Sequence, residues 1–246
     1  MNIILLGHRD IASLFALNGL IALCPEHNYT AFFSGTLKSE KPAPDALVKL
    51  AKIDARLCSQ YLAEFEVADV LRSARELPAP NSTKGLQLLA DCDPDLIVSI
   101  RYRRILRDDA IAIPRHGILN LHSGILPDYR GVMVTFWAML NKEPEIGATL
   151  HRIVDSGIDT GPVIGISRAK TQLRESYLAN VLSLYVDGCK MLADTVEAMN
   201  CGKIESGTLS LTGTGHYYTT PDETAIKRFL AKNLSLVRGN ELALLP

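Results

Sequence analysis

The chain opens on Ile3-Ile4-Leu5-Leu6 closed by Gly7, a short continuous apolar run of the kind that forms a strand buried on both faces. Ile11, Leu14, Phe15, Leu17, Leu20 and Ile21 then recur at helical spacing behind it. Tyr29 to Phe33 reads as a second strand ending at Ser34-Gly35. Asp45 to Leu62 predicts a helix through Leu47, Leu50, Ile53, Leu57 and Tyr61, with Pro42 and Pro44 marking the loop before it. Asp95-Leu-Ile-Val-Ser-Ile and Gly117-Ile-Leu-Asn-Leu-His are two further buried strands, and the short crossover between them predicts a helix near Asp108 to Ile113. Buried strands alternating with helices predict an α/β fold, a mostly parallel sheet with helices on both faces.

The pattern changes after residue 140. Gly147 to Val154 and Pro162 to Ser167 predict two strands joined by the polar turn Asp155 to Gly161, an antiparallel or mixed extension of the sheet. Leu173 to Cys201 then predicts one long covering helix stopped by Gly202. Ser206 to Gly215 is linker-like. Thr220-Pro221-Asp222-Glu223 reads as a helix start, with a capping-box Thr and Glu and Pro in the first turn, so Thr220 to Lys232 is expected to be helical. Phe229 and Leu230 on that helix need a surface, either the main body or a second subunit, and a homodimer is the favoured expectation. The predicted division is a main domain over 1–204 and a small C-terminal extension over 205–246.

The 246 residues suit one large domain with an appendage, and 47% apolar with 22% charged residues is an ordinary globular balance. Lys plus Arg number 26 against 27 Asp plus Glu, so the net charge of −1 lacks the excess of cations that binding a phosphate backbone demands, and no nucleic-acid partner is expected. The early apolar runs are too short to span a membrane and no basic leader precedes them, so no membrane association and a cytoplasmic location are expected. The five cysteines contain no CxxC pair and are read as packing thiols. His116 and His122 lack partner ligands at metal-binding spacing, so no metal is expected.

The densest polar cluster runs from Asn120 to Gly131. Residues two apart in a strand share a face, so Asn120 and His122 project together from the C-terminal end of theirs, where open parallel sheets place ligands. An amide donor can hydrogen-bond a developing oxyanion, and an imidazole can give and take protons near neutral pH. The pair suits acyl transfer; the plainer alternative is that both satisfy loop backbone groups. Asp155 to Pro162 adds a carboxylate on a tight turn that could take a proton or orient the imidazole.

Asn120-Leu-His122, Ile125-Leu-Pro-Asp-Tyr-Arg-Gly131 and Ile158-Asp159-Thr-Gly-Pro162, in this order, resemble the signature of the folate-dependent formyltransferases, and the resemblance extends over roughly residues 1 to 200. That family includes methionyl-tRNA, glycinamide ribonucleotide and amino-sugar enzymes. The resemblance implies a Rossmann-like fold, 10-formyltetrahydrofolate as formyl donor and a small-molecule amine acceptor, with Asn120, His122 and Asp159 as the catalytic trio. It implies that Tyr102, Arg104, Ile105 and Leu106 line the pterin pocket and that the loop from Ile153 through Val154 and Asp155 to Asp159 closes over it. His8 and Arg9, at the end of the first strand, would face the acceptor across the same crevice. Arg101, Arg103, Arg104, Arg107 and Arg115 form a basic patch suited to a folate glutamate tail or an acceptor phosphate, or to a solvated ion-paired face.

Departures from the family narrow the acceptor. The first turn, Gly7-His-Arg-Asp-Ile-Ala-Ser13, lacks the Gly-, Ser- and Asn-rich phosphate loop of the glycinamide ribonucleotide enzymes. The stretch after the long helix is too short for the barrel-like domain of the tRNA enzymes, and the Thr149 to Asp159 loop is longer than in better-known members. The expected acceptor is therefore the amine or hydroxylamine of a small metabolite such as an amino sugar or amino acid. The rival expectations are a formyltetrahydrofolate hydrolase, with water as nucleophile, and a non-catalytic binding module.

Overall fold

The computed structural model describes residues 1–35, 42–203 and 215–245. In chain order the elements are β1 (Asn2–Gly7), α1 (Ile11–Leu23), β2 (Asn28–Phe33), α2 (Asp45–Glu64), α3 (Asp69–Arg72), β3 (Arg75–Glu76), α4 (Thr83–Ala90), β4 (Leu96–Ser99), α5 (Asp108–Ile111), β5 (Ile118–His122), β6 (Arg130–Gly131), α6 (Val134–Asn141), β7 (Glu145–Ile153), β8 (Val163–Lys170), α7 (Tyr177–Asn200), β9 (Tyr217–Tyr218) and α8 (Glu223–Ala231), followed by a 3₁₀ turn at Glu241–Leu244.

One seven-stranded sheet in the order β3-β2-β1-β4-β5-β7-β8 carries the fold. The first five of these strands are parallel, and β7 and β8 continue it antiparallel beyond β5. The mixed extension predicted from the change of pattern is what forms. Ile3 and Leu5 face one core layer, beneath α1 and α7, and Ile4 and Leu6 face the other, beneath α4 and α5. Both faces are thus covered, which is why these strands read as unbroken apolar runs. No helix among the described residues is long and apolar enough to cross a membrane.

Several sequence expectations are corrected. The long helix begins at Tyr177 rather than near Leu173, because Ser176 caps it, its side chain accepting from Ala179 N–H. The tail helix begins after Asp222, whose carboxylate accepts from Ala225 N–H at 2.7 Å, so Thr220 and Pro221 lie outside the helix. Asp is at least as good a cap as Thr and stands nearer the apolar stripe. Phe229 is fully buried, stacked on Phe136 at 4.4 Å within the same chain, whereas Leu230 points outward, 48% exposed. Trp137 is half-buried and donates its indole N–H to Thr219 O. The boundary at 204–205 and nearly all of the linker-like stretch lie outside the described residues.

A second, two-stranded sheet joins β9 to β6 in parallel. Arg130 N–H donates to His216 O and Val132 N–H to Tyr218 O, so residues beyond the long helix return to the loop that follows β5. Tyr218 is sandwiched between Tyr129 and Trp137, each ring 5.3 Å away. Gly131, at φ +100°, makes this join: a Cβ there would lie 2.1 Å from Tyr218 O.

Candidate active site

The carboxyl ends of the parallel strands open into a cavity of about 640 Å³. β5 delivers Asn120 and His122 to it on one face, as their spacing requires. β7 lies directly opposite in register, Asn120 against His151 and His122 against Thr149. Thr149 uses its hydroxyl as a brace, donating to Gly124 O at 2.6 Å and accepting from Leu126 N–H, which folds the loop after β5 back over His122. Only a glycine fits at position 124, where a Cβ would sit 2.6 Å from Tyr129 O and 2.7 Å from His122 Nε2.

Hydrogen bonds fix the orientation of each ring. His122 Nε2 lies 2.7 Å from the carbonyl of Tyr129, so it carries the proton and donates, leaving Nδ1 directed at Asp159 Oδ1 3.5 Å away. His151 Nδ1 faces Arg152 O at 3.0 Å and donates likewise, so its Nε2 accepts from Asn120 Nδ2 at 2.9 Å. One amide N–H of Asn120 is thereby used and the other stays available to a ligand.

Asp159 sits at φ +53° on the turn between β7 and β8, a left-handed conformation that Asp tolerates. Its Oδ2 accepts from Gly131 N–H at 2.9 Å, and Oδ1 faces both His122 and His151 at 3.5 Å. Burial alone would push this carboxyl up; the His122 and His151 rings and the Gly131 N–H outweigh it and hold it at about 2, so Asp159 is a carboxylate at neutral pH. Burial wins at His122, lowering it below the ordinary imidazole value despite the opposing pull of Asp159. The site therefore presents a neutral ring and an anion, two proton acceptors aimed at one point.

Tyr102, Arg104, Ile105 and Leu106 form one wall with Ile153, Val154 and Asp155. Ile105, Val154 and Ile158 stand 51%, 53% and 37% exposed, apolar side chains bordering a cleft. Asp155 is spent on its own loop, its Oδ1 accepting from Gly157 N–H at 2.7 Å in an Asx turn. Arg104 donates to Ser34 O. Of the expected basic patch, Arg101, Arg103 and Arg104 line the cavity, whereas Arg115 pairs with Asp93 and Asp95 elsewhere and Arg107 is no part of the lining.

His8 and Arg9 also line the cavity, His8 sharing Ser34 with Arg104. His8 Nδ1 bonds Ser34 Oγ at 2.8 Å, and burial with the nearby Arg103 guanidinium lowers its ring to about 4. Arg9 donates to Ala74 O and lies over the Phe33 ring. Between them and the sheet, Asp10 caps α1 and takes Arg101 Nε on both oxygens at 3.0 Å. Burial would raise Asp10, but Arg101 and Arg103 keep it low. Tyr217, from β9, also lines the cavity.

Sequence reasoning missed His151, Asp54, the Gly131 N–H bond to Asp159 and the structural use of Asp10. A signal for His151 existed: Thr149 and His151 are polar residues two apart among the buried positions of β7, the same spacing as Asn120 and His122. The one group of three metal-capable side chains among the described residues, Glu26, His27 and Glu197, stands at the amino-terminal end of β2, away from this cavity.

Among curated relatives, the methionyl-tRNA formyltransferase of Thermodesulfovibrio yellowstonii is 33% identical over 121 residues, 48% of this chain and 38% of that protein. The chain thus spans about two fifths of the length of that relative. A sugar N-formyltransferase from Shewanella sp has a similar fold, with TM-score 0.60 and 15% identity, covering 88% of this chain and 76% of the other. So does the formyltransferase PseJ from Anoxybacillus kamchatkensis, solved with UDP-4,6-dideoxy-4-formamido-L-AltNAc and tetrahydrofolate, at TM-score 0.53 and 19% identity over 98% and 96% of the two chains. The family model described as formyl transferase matches residues 37–176, more than half of the chain and the stretch that holds Asn120, His122 and Asp159, and the chain belongs to that family.

Proposed function

We propose that the protein transfers a formyl group from 10-formyltetrahydrofolate to an amine or hydroxylamine of a small metabolite. The observation that carries this reading is the convergence of His122 Nδ1, Asp159 Oδ1 and the spare Asn120 N–H on one cavity. Two acceptors 3.5 Å apart with no proton between them favour a nucleophile that brings its own N–H groups. The exposed Ile105, Val154 and Ile158 suit the faces of a flat heterocycle, and the relative PseJ was solved with tetrahydrofolate. The donor supplies an electrophilic formyl carbon.

In this reading the amine nitrogen docks against His122 Nδ1 and Asp159. As it bonds to the formyl carbon, its proton passes to Nδ1, and the imidazolium so formed is held by the Asp159 carboxylate and the Tyr129 carbonyl. The free Asn120 N–H receives the charge growing on the formyl oxygen. His122 then returns the proton to the departing folate nitrogen. Tyr102, Arg104, Ile105, Leu106, Ile153, Val154 and Asp155 hold the donor, and His8 and Arg9 face the acceptor.

We keep residues 1–204 as the catalytic unit and 205–246 as an extension that completes it. A homodimer would use the outward Leu230, and light scattering of Leu230→Lys against the unaltered chain tests that contact. Folate release from 10-formyltetrahydrofolate, followed with and without a panel of small amines, tests the main proposal. Release that requires an amine is expected. Release to water alone identifies a hydrolase, and donor binding without release identifies a binding module.

A further inference from the structure

The acceptor end of the cavity contains charges that the chain itself leaves half-used. Arg101 is committed, its Nε shared between both oxygens of Asp10. Arg103 gives Asp10 a single N–H at 3.3 Å, and its side chain remains 46% exposed. Asp54, on α2, accepts one hydrogen bond, from Ile11 N–H at 3.0 Å, and has no cationic partner within ion-pair distance among the described residues. Both Arg103 and Asp54 line the cavity, and so do the aliphatic side chains of Leu47 and Leu50 from α2 and Leu178 from α7.

A free guanidinium edge and a free carboxylate edge beside an apolar wall form a receptor for a zwitterion on an aliphatic stem. We propose, resting on the formyl-transfer reading above, that the acceptor is an α-amino acid bearing a second amine: its carboxylate on Arg103, its α-ammonium on Asp54, its methylene stem along Leu47 and Leu50, and its side-chain amine turned toward His122 and Asp159. The reaction balances without a further reactant. The side-chain nitrogen bonds to the formyl carbon, the bond from that carbon to the folate nitrogen breaks, and the amine proton ends on the folate nitrogen, giving an N-formyl amino acid and tetrahydrofolate.

Charge selects against a simple diamine, which would satisfy Asp54 while placing a cation beside Arg103 and leaving it unanswered. Burial, reinforced by Asp10, raises the Asp54 carboxyl to about 6, the state of a carboxylate lacking a counter-ion, and an arriving ammonium relieves it.

L-ornithine and L-lysine are the probes, compared on the unaltered full chain with 5-aminopentanoate, which lacks the α-ammonium, with putrescine, which lacks the carboxylate, and with a nucleotide-linked amino sugar. The expected result is formylation of one of the diamino acids, with kcat/KM at least tenfold above either trimmed analogue. Asp54→Asn, which keeps the oxygen that accepts from Ile11, should cut kcat/KM for the diamino acid by roughly ten- to hundredfold, leave 5-aminopentanoate unchanged and leave the donor KM within about twofold. Formylation of the amino sugar with none of the amino acids overturns this assignment and leaves formyl transfer standing. Transfer to no amine, with tetrahydrofolate still quenching protein fluorescence on binding, overturns both. Equal use of L-ornithine and 5-aminopentanoate overturns the zwitterion site even if Asp54→Asn fails to fold.

Discussion

His122 has one free edge, because its Nε2 is committed to the Tyr129 carbonyl, and everything expected of the ring passes through Nδ1. Removing its partners should therefore act on turnover rather than on donor binding. His122→Ala, Asn120→Ala and Asp159→Asn are each expected to lower kcat by at least ~10² with the donor KM little changed, as for the loss of one oxyanion-stabilising or proton-handling group, measured by steady-state kinetics. Asp155→Asn should do far less, since that carboxylate serves the Gly157 amide in an exposed loop. The pH profile carries a second test. A base lowered by burial is active once deprotonated, so kcat at saturating acceptor should rise with pH through a midpoint below the ordinary imidazole value of ~6.5. Asp159 raises His122, so Asp159→Asn should move that midpoint to still lower pH. Among the acceptor contacts, Arg103→Ala should raise the acceptor KM by about 10- to 150-fold and leave the folate KM within about twofold, the cost of one charge-assisted hydrogen bond; a change confined to the folate KM would exchange the two sides of the crevice.

The elements fall into those that local pattern specifies and those that tertiary contact specifies. Strands β1, β4 and β5 and helices α1 and α7 were legible because each buries a run or stripe set by its own sequence. Asn120 and His122 were legible for the same reason, sharing a strand face, and Asp159 through the resemblance of its turn. His151 was not, because its meaning depends on β7 pairing with β5 in one register, a fact of a non-local hairpin. Asp54 was hidden because α2 reads simply as an amphipathic helix, and only its passage across the cavity gives that carboxylate a neighbour in Asp10. The eight-residue α4, interrupted by Gly85, and the two-residue β3, β6 and β9 carry too little pattern to register at all. The tail is the clearest case of tertiary specification: α8 is held on the main body by Phe229 against Phe136, with Ala225 and Ile226 buried beside it. A chain truncated after Gly207 should expose Phe136 and Trp137 and aggregate by light scattering, and Phe229→Ala should cost ~3–5 kcal/mol in urea unfolding.

At the scale of the whole molecule, β6 is a hinge pin with two faces. Successive backbone amides of a strand point in opposite directions, so Arg130 and Val132 direct theirs at the C-terminal segment while Gly131, between them, directs its own at Asp159. Three consecutive residues thus join the C-terminal segment to the carboxylate of the site, and whatever orders that segment lowers the cost of ordering the carboxylate. Such coupling is reciprocal. Occupancy of the cavity should accordingly be readable at a distance from it, as slower amide hydrogen exchange at Arg130 and Val132 when tetrahydrofolate is bound, with Asn2 to Leu6 in the sheet core unaffected. The C-terminal strand would then serve the protein as a latch whose grip reports, in exchange rate, whether the Asp159 carboxylate is engaged.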